Sequence, residues 1–290
     1  MKWLIGGLIV STLLAGGWGL WQWYLHRRTK RLLETLLGSP AWESTLHALL
    51  QRLKQCEKSS QAQQAFIAEV SHELKTPLNI VLGYLDTLVQ GAWRDEKVVL
   101  PFLEKALAQV HRMNSLVQDI LLLAQIESGD WLIQPEATPL YPLLEEVWSE
   151  LEPLARRKNI TLRKPPHEVQ DLAVEADPYA LRKVLKNLLE NAIQYSPEDR
   201  IISVMWELTP NKKRVRISVQ DEGIGIPPEH LPRIFERFYR VDKSRSRQSG
   251  GTGLGLSIVK ELLQAHGEEI TVRSQVGLGT VFTFALPACA

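Results

Sequence analysis

The chain has 290 residues, of which 44% are hydrophobic and 23% charged, so it can bury the core of one large or two modest domains. The ordinary numbers of Gly (18) and Pro (16), and two cysteines without metal-ligand spacing, exclude a collagen, a disordered chain and a disulfide scaffold. The formal net charge of +1 provides no overall attraction to nucleic acid.

Residues 3–25 form an apolar run without formally charged side chains, and residues 26–31 are mostly basic. As a helix the run would reach roughly 34 Å, enough for a hydrocarbon core of about 30 Å. Basic residues after a span favour the cytoplasmic side, which predicts an uncleaved single-pass anchor in the inner (plasma) membrane, with the rest of the chain in the cytoplasm. The alternative is a cleaved signal peptide, whose charge would precede the apolar run.

Two amphipathic helices are predicted next. One seam with apolar spacings of three and four runs from residue 46 to 74, and a second from residue 99 to 124. The turn-like stretch 91–95 between them predicts an antiparallel hairpin, and the two seams predict that two hairpins form a dimeric four-helix bundle. A hairpin that packs only on its own chain is the alternative.

His72 takes heptad position f of the first seam, which predicts an imidazole in water. A neutral imidazole, with an ordinary pKa of about 6.5, is a nitrogen nucleophile near neutral pH. The adjacent Glu73 can hold one ring N–H and leave the other nitrogen free, and Thr76 shares the face of His72 one turn later. Pro77 can bend the helix at this point. A surface histidine without function is the alternative.

Beyond residue 130 short strands alternate with helices, which predicts an α+β sandwich with one mixed sheet covered by helices on one face. The predicted strands are 160–163, 201–208, 214–220, 270–273 and 280–286, and the predicted helices are 141–157, 177–195 and 253–266.

Two patterns in this half have the chemistry of a nucleotide site. Asn187 and Asn191 lie one helical turn apart, and their amide oxygens suit Mg²⁺, although two solvated asparagines are the alternative. Asp221 follows a strand and can accept a hydrogen bond from an exocyclic amine such as that of adenine. Gly223 and Gly225 after it allow backbone to approach a flat ligand, although a simple tight turn is the alternative.

The third pattern is the glycine-rich run 250–256 at the start of a predicted helix, where unpaired N–H groups favour anions. It lacks the lysine of a Walker loop and the preceding strand of a Rossmann fingerprint. The polar, basic residues 241–249 before it are interpreted as a mobile lid over a triphosphate, with a flexible linker as the alternative.

The segment FIAEVSHELKTPLNIVLGYLDTL resembles the phosphoacceptor box of the sensor histidine kinases of two-component systems, and its GYLDTL is similar to phosphate-regulon sensors. The three nucleotide patterns resemble the N, G1, F and G2 boxes of the ATP-binding domain that these kinases share with Hsp90-like chaperones, gyrase and MutL. The resemblance implies a homodimer that phosphorylates His72 from ATP, passes the phosphoryl group to an aspartate of a response regulator receiver domain, and also acts as a phosphatase.

The resemblance also implies roles for the matching residues. Glu73 assists transfer to His72, and Thr76 positions water for the phosphatase reaction. Asn187 and Asn191 are implied to bind Mg²⁺. Asp221 is implied to bind adenine in a pocket shaped by Gly223 and Gly225. The residues implied to lie near the phosphates or elsewhere along the nucleotide are Arg240 at the terminal phosphate, Gly251, Gly253, Leu254 and Gly255 around the phosphates, and Thr280 near the nucleotide. With the membrane segment, the predicted parts are an anchor (1–31), a helical signal linker (32–63), a dimerisation and phosphoacceptor domain (64–130) and a catalytic ATP-binding domain (131–290).

Gln194 departs from the family, which usually has Lys or Arg three residues after the second asparagine. Because an amide supplies no charge, weaker ATP binding or slower transfer is expected, with Arg240, Lys243 or Arg245 compensating. Gln194 also supports one alternative function, a phosphatase or scaffold regulator that binds ATP poorly. The other alternative is a GHKL-type ATPase, which needs neither the histidine box nor the membrane anchor.

Overall fold

The structure is a computed structural model that describes Arg27 and the backbone of residues 41–211, 213–241 and 252–289, with side chains from residue 64 onward. The predicted membrane segment, residues 242–249 of the predicted lid with Lys243 and Arg245, and Gly251 lie outside the described residues. The chain divides into two compact units, Met1–Ile67 and Ala68–Ala290. Of the helices in the described part of the chain, none combines the length and the apolar character that crossing a bilayer requires.

Two long helices form the predicted hairpin: α1, Ala41–Val89, and α2, Glu96–Ser128. A short 3-10 turn, Ala92–Arg94, connects them. The Asp95 side chain caps α2 by accepting a hydrogen bond from the Lys97 N–H at 2.9 Å, and this satisfies one of the N–H groups that a helix leaves unpaired at its start.

The hairpin leaves one apolar face in water. Of the predicted seam residues, Ala106 is buried, whereas Ile67, Leu103, Val110 and Val117 are between 41% and 58% exposed. Further exposed apolar side chains of the two helices are Leu78, Ile80, Leu82, Leu85, Leu100, Leu107 and Leu121. On α2, Leu103, Val110 and Val117 recur every seven residues and therefore share one face, and this exposed apolar stripe indicates an interaction surface.

The rest of the second unit is an α+β domain with three helices: α3, Leu140–Arg156, α4, Pro178–Tyr195, and α5, Gly255–Ala265. The strands are β1, Glu136–Pro139, β2, Thr161–Arg163, β3, Ala173–Ala176, β4, Ile201–Leu208, β5, Arg214–Asp221, β6, Ile270–Gln275, and β7, Gly279–Pro287. Five of them form a mixed sheet in the order β2-β4-β5-β7-β6, in which β2 runs parallel to β4 and the other neighbours are antiparallel.

One face of this sheet forms the domain core. Val215, Ile217 and Val219 alternate along β5 and are buried, whereas Arg216 between them and Gln220 after them are exposed. The three helices supply fully buried side chains to the same core, among them Leu140, Leu144, Leu181, Leu185, Leu188 and Ile258. The predicted α+β class is therefore confirmed for this domain.

Two details differ from the sequence-based expectation. β1 pairs with β3 as a separate two-stranded sheet that was not predicted, because each strand has only four residues and the partners lie far apart in the chain. The last helix begins at Gly255 rather than at residue 253, because Gly253 has a φ of 75°, which is incompatible with a right-handed helix.

Candidate active site

His72 is exposed on α1, as its heptad position requires. Glu73 beside it is half-buried, and Thr76 is exposed with its Oγ1 donating to the His72 carbonyl oxygen at 3.2 Å. Pro77 is buried and removes one helical N–H, yet α1 continues to Val89. The imidazole therefore lies on the open surface of a continuous helix.

Arg240 connects this helix to the α+β domain. Its Nη2 donates to Glu73 Oε2 at 3.2 Å, and the two side chains are only 7% and 20% exposed. Its Nε lies 3.2 Å from the position that a Cβ on Gly253 would take. One guanidinium thus reaches from the glycine-rich loop before α5 to the residue next to His72.

A second arginine faces the same group of charges. Arg112 on α2 is half-buried, and burial lowers the pKa of its guanidinium. The positive charge of Arg240 lowers this pKa further, whereas the Glu73 carboxylate opposes both effects. Arg112 was not predicted as a site residue, because nothing in the heptad pattern distinguishes it from a solvated surface arginine.

Two further ion pairs join the hairpin to the α+β domain. Lys183 Nζ lies 2.7 Å from Asp119 Oδ1, and the Asp119 side chain is only 9% exposed. Arg237 pairs with Glu127. In these pairs, as in the pair of Arg240, the acid belongs to the hairpin and the base to the α+β domain, so complementary charge helps to hold the domain against the helices.

Asn187 and Asn191 lie on α4, whose first turn is capped by Asp177. Asn187 is buried, and its Nδ2 has no hydrogen-bond partner among the described residues. Its Oδ1 would be 3.3 Å from a Cβ on Gly255, so this amide faces the start of α5. The unpaired Nδ2 is a donor that suits an anionic oxygen such as that of a phosphate, and the amide oxygens of Asn187 and the half-buried Asn191 are of the hard type that Mg²⁺ takes.

The start of α5 has no side-chain cap. Leu254 precedes the helix and has no polar atom in its side chain to cap it. The Leu254 N–H donates to Thr252 Oγ1 at 3.3 Å, and the Gly253 carbonyl oxygen accepts from the Phe238 N–H at 2.9 Å. A side chain at residue 253 would lie 2.9 Å from the Phe238 Cα, which explains the glycine.

Asp221 ends β5 and is buried, with 7% of its surface exposed. Its Oδ1 accepts from the Gly223 N–H at 2.8 Å and from the Thr280 N–H at 3.2 Å. Burial raises the pKa of Asp221 to about 6, and the two backbone hydrogen bonds oppose this shift. A partly desolvated carboxylate here can accept a hydrogen bond from an exocyclic amine.

Close packing fixes the loop after Asp221. Gly225 has a φ of 71°, and a Cβ there would lie 2.1 Å from the Gln275 carbonyl oxygen. The Ser274 hydroxyl accepts from the Ile226 N–H at 2.8 Å and contacts Thr280 Oγ1 at 2.9 Å. Ser274 was not predicted as a site residue, because a serine within a strand carries no distinguishing pattern.

Glu190 was also not predicted as a site residue. It lies half-buried on α4 between the two asparagines, and burial raises the pKa of its carboxyl group, against the effect of the nearby Lys186 and Lys183. Gln194 lies half-buried in the last turn of the same helix.

The structure thus gathers the predicted residues into two groups. In the first group, Gly223 and Thr280 donate to the Asp221 carboxylate, and Gly225 lies two residues further along the same loop. In the second group, Asn187, Gly253, Leu254, Gly255 and Arg240 lie at the start of α5. Tyr195 links them, because it ends α4 and its carbonyl oxygen would lie 2.8 Å from a Cβ on Gly223.

Comparison with known proteins gives two family matches. Residues 62–129 match the His Kinase A (phospho-acceptor) domain, and residues 176–290 match the Histidine kinase-, DNA gyrase B-, and HSP90-like ATPase. The chain thus combines a phosphoacceptor hairpin with an ATPase-type domain. It belongs to the sensor histidine kinases.

Two curated relatives are equally similar to this chain. The sensor histidine kinase WalK of Bacillus subtilis is 38% identical over 83% of this chain and 39% of its own length. The phosphate regulon sensor protein PhoR of Pseudomonas aeruginosa is 38% identical over 82% of this chain and 53% of its own length. The chain therefore spans about half or less of these relatives, and equal identity does not single out the phosphate-regulon subclass.

A solved structure is similar over most of the described fold. Histidine kinase ThkA in complex with the response regulator protein TrrA matches with a TM-score of 0.62 and 26% identity, over 84% of this chain and 66% of that one.

Proposed function

We propose that this chain is the kinase core of a two-component sensor, which phosphorylates His72 from ATP and passes the phosphoryl group to an aspartate of a response regulator. The observation that carries the proposal is the contact of Arg240 with Glu73. It connects the loop expected to hold the terminal phosphate with the helix that presents the nucleophile.

In the proposed reaction a ring nitrogen of His72 attacks the γ-phosphorus, the bond from this phosphorus to the bridging oxygen breaks, and ADP leaves with the electron pair. Glu73 holds the N–H on the other side of the imidazole, so the attacking nitrogen keeps its lone pair. Arg240 neutralises charge on the transferred group. Mg²⁺ on the amide oxygens of Asn187 and Asn191 supplies further charge neutralisation when bound.

The arrangement supports transfer within one chain, because Arg240 contacts the Glu73 of its own chain. Mixed dimers of a His72→Ala chain and an Asn187→Ala chain test this, since each chain lacks one half of the site. Transfer within one chain leaves these dimers without label, whereas transfer between chains restores label on the Asn187→Ala chain.

We further propose a homodimer and a receiver-domain partner. The exposed apolar stripe of the hairpin supports a second copy as its occupant, and the similarity to ThkA in complex with TrrA supports a response regulator on the same core. Thr76, one turn from His72, is proposed to position water for the phosphatase reaction. Cross-linking through cysteines introduced at Val110 and Val117 tests the dimer, and a chain that stays monomeric contradicts it.

We also propose anchoring in the plasma membrane through residues 3–25, which the charge pattern of the sequence supports. Cell fractionation tests it. The full chain should need detergent for release from membranes, and a chain without residues 3–25 should be found in the soluble fraction.

The decisive experiment for the kinase is labelling with γ-³²P ATP. The expected label is acid-labile and base-stable, is absent in His72→Ala, and is transferred to a receiver domain. A chain that binds ATP and hydrolyses it without labelling His72 would instead be an ATPase. A chain that binds no ATP but dephosphorylates a receiver would be the phosphatase regulator.

A further inference from the structure

The last turn of α4 ends in carbonyl oxygens that the helix itself does not satisfy. Its last helical hydrogen bond runs from the Ser196 N–H to the Ala192 carbonyl oxygen. The next carbonyl, of Ile193, would need an N–H at residue 197, but this residue is Pro197, which has none. Buried carbonyl groups require partners from elsewhere in the fold.

Lys158, in the turn after α3, supplies these partners. Its Nζ donates to the carbonyl oxygens of Ile193 at 2.8 Å, Gln194 at 2.8 Å and Ser196 at 3.0 Å, which uses all three ammonium hydrogens. The last turn of α4 contains no basic residue, so the cation at the negative end of this helix comes from a different element.

The Tyr195 carbonyl oxygen, which lies between these acceptors in sequence, binds the loop that follows Asp221. The Tyr195 carbonyl oxygen accepts from the Ile224 N–H at 3.2 Å. It also limits the space at Gly223, where a Cβ would lie 2.8 Å away. A displacement of this turn would therefore move both the loop and the glycine expected to lie against a purine ring.

The turn that carries Lys158 is itself held in place. The Lys158 N–H donates to the Ala155 carbonyl oxygen, and the Lys158 carbonyl oxygen accepts from the Asp199 N–H, both at 3.0 Å. The Asn159 side chain donates to Asp199 Oδ1 at 2.6 Å. Burial lowers the pKa of the Lys158 ammonium, and the Glu198 carboxylate opposes this effect.

We propose that Lys158 is a positioning residue of the nucleotide site: it fixes the C-terminal turn of α4 and, through the Tyr195 carbonyl, the loop that receives the base. The inference rests on the proposed binding of ATP. Because the Lys158 ammonium binds main-chain carbonyl oxygens at the end of α4 and lies outside the hairpin that carries His72, its loss should weaken nucleotide binding and leave the later, nucleotide-free transfer from His72 to the receiver intact.

The test compares Lys158→Met with wild type in the purified full chain. An apolar side chain of similar length removes the ammonium donor from three carbonyl oxygens, so the KM for ATP should rise about tenfold. The maximal labelling rate and the rate of transfer from phosphorylated His72 should change less than about twofold. Lys164→Met is the matched control, because it removes an ion pair with Glu145 in the same domain and should leave the KM unchanged.

A second variant keeps the test informative if Lys158→Met does not fold. Lys158→Arg retains the charge, but a planar guanidinium does not match three converging carbonyls, so the KM should rise about threefold. An ATP KM equal to that of wild type in a folded Lys158 variant overturns the inference. A loss in the rate of nucleotide-free transfer as large as the loss in ATP binding also overturns it, because it would indicate general damage. Failure of wild type to bind ATP would instead refute the proposed function.

Discussion

Replacement of Asp221 by asparagine should stabilise the folded chain at neutral pH and weaken the binding of ATP. Burial raises the pKa of Asp221 from its ordinary value of 3.8 to about 6. The folded chain therefore holds this proton at a pH where the unfolded chain has released it. Stability must then fall as the pH rises from about 4 to about 6, and it stays lower above that range.

The size of the effect follows from the same values. The difference between the pKa of 3.8 in the unfolded chain and about 6 in the folded chain lowers the free energy of unfolding by about 3 kcal/mol at neutral pH. Asparagine is neutral at every pH and keeps an oxygen for the N–H groups of Gly223 and Thr280. Its amide N–H groups bring a cost of about 1 kcal/mol if one stays unpaired. The net gain of Asp221→Asn should be about 2 kcal/mol at pH 7, should reach zero between about pH 4 and 5, and should become a loss of about 1 kcal/mol at lower pH.

Urea unfolding without nucleotide, at pH values from 4 to 8, measures this difference directly. Asp171→Asn at an exposed site of the same domain is the control and should show no pH-dependent gain. Calorimetric titration with ATP should show at least tenfold weaker binding for Asp221→Asn, because the acceptor for the exocyclic amine loses its charge. Equal stability of wild type and variant at pH 7, or a loss that grows with pH, would refute the argument.

Three other substitutions test the site. Gly225→Ala should destabilise the fold by more than about 2 kcal/mol and abolish ATP binding, since its Cβ would lie 2.1 Å from a carbonyl oxygen. Gly267→Ala is the control, because Gly267 also has a positive φ, 74°, but no atom lies within 4 Å of the added Cβ. Urea unfolding should show a loss of only about 1 kcal/mol for this control. Gln194→Lys should lower the KM for ATP or raise the labelling rate, and no change in either would remove the role assigned to that position. Thr76→Ala should slow dephosphorylation of a receiver severalfold while autophosphorylation of His72 proceeds at the wild-type rate; equal slowing of both reactions would contradict the role of its hydroxyl.

The regular elements were predictable because they depend on local pattern. The strand Ile201–Leu208 has the predicted bounds, since apolar residues alternate along it without a break. The contacts between distant elements were not predictable in this way. Glu73 and Arg240 lie 167 positions apart, and either residue alone has the pattern of an ordinary surface charge.

The glycine and asparagine positions were recognised through the resemblance, but the residues that support them were not. The side chains of Ser274 and Lys158 bind backbone atoms, and nearly any residue type can present a backbone N–H or carbonyl group. Their partners therefore leave no trace in composition or spacing. Pro197 is a local signal for the contact of Lys158. A proline after a helix lacks the N–H that the carbonyl group four residues earlier would bind, which predicts that this carbonyl needs another partner.

The reliance of α4 on Lys158 bears on where this protein can be divided. The ATPase match begins at residue 176, so a fragment that starts there lacks α3. It also lacks Lys158, whose ammonium group binds the last carbonyl oxygens of α4. Such a fragment would retain each residue expected to touch the nucleotide and still bind it poorly. Chimeric kinases that exchange nucleotide-binding modules should accordingly be joined before Leu140, so that the ammonium group and its three acceptors come from the same parent.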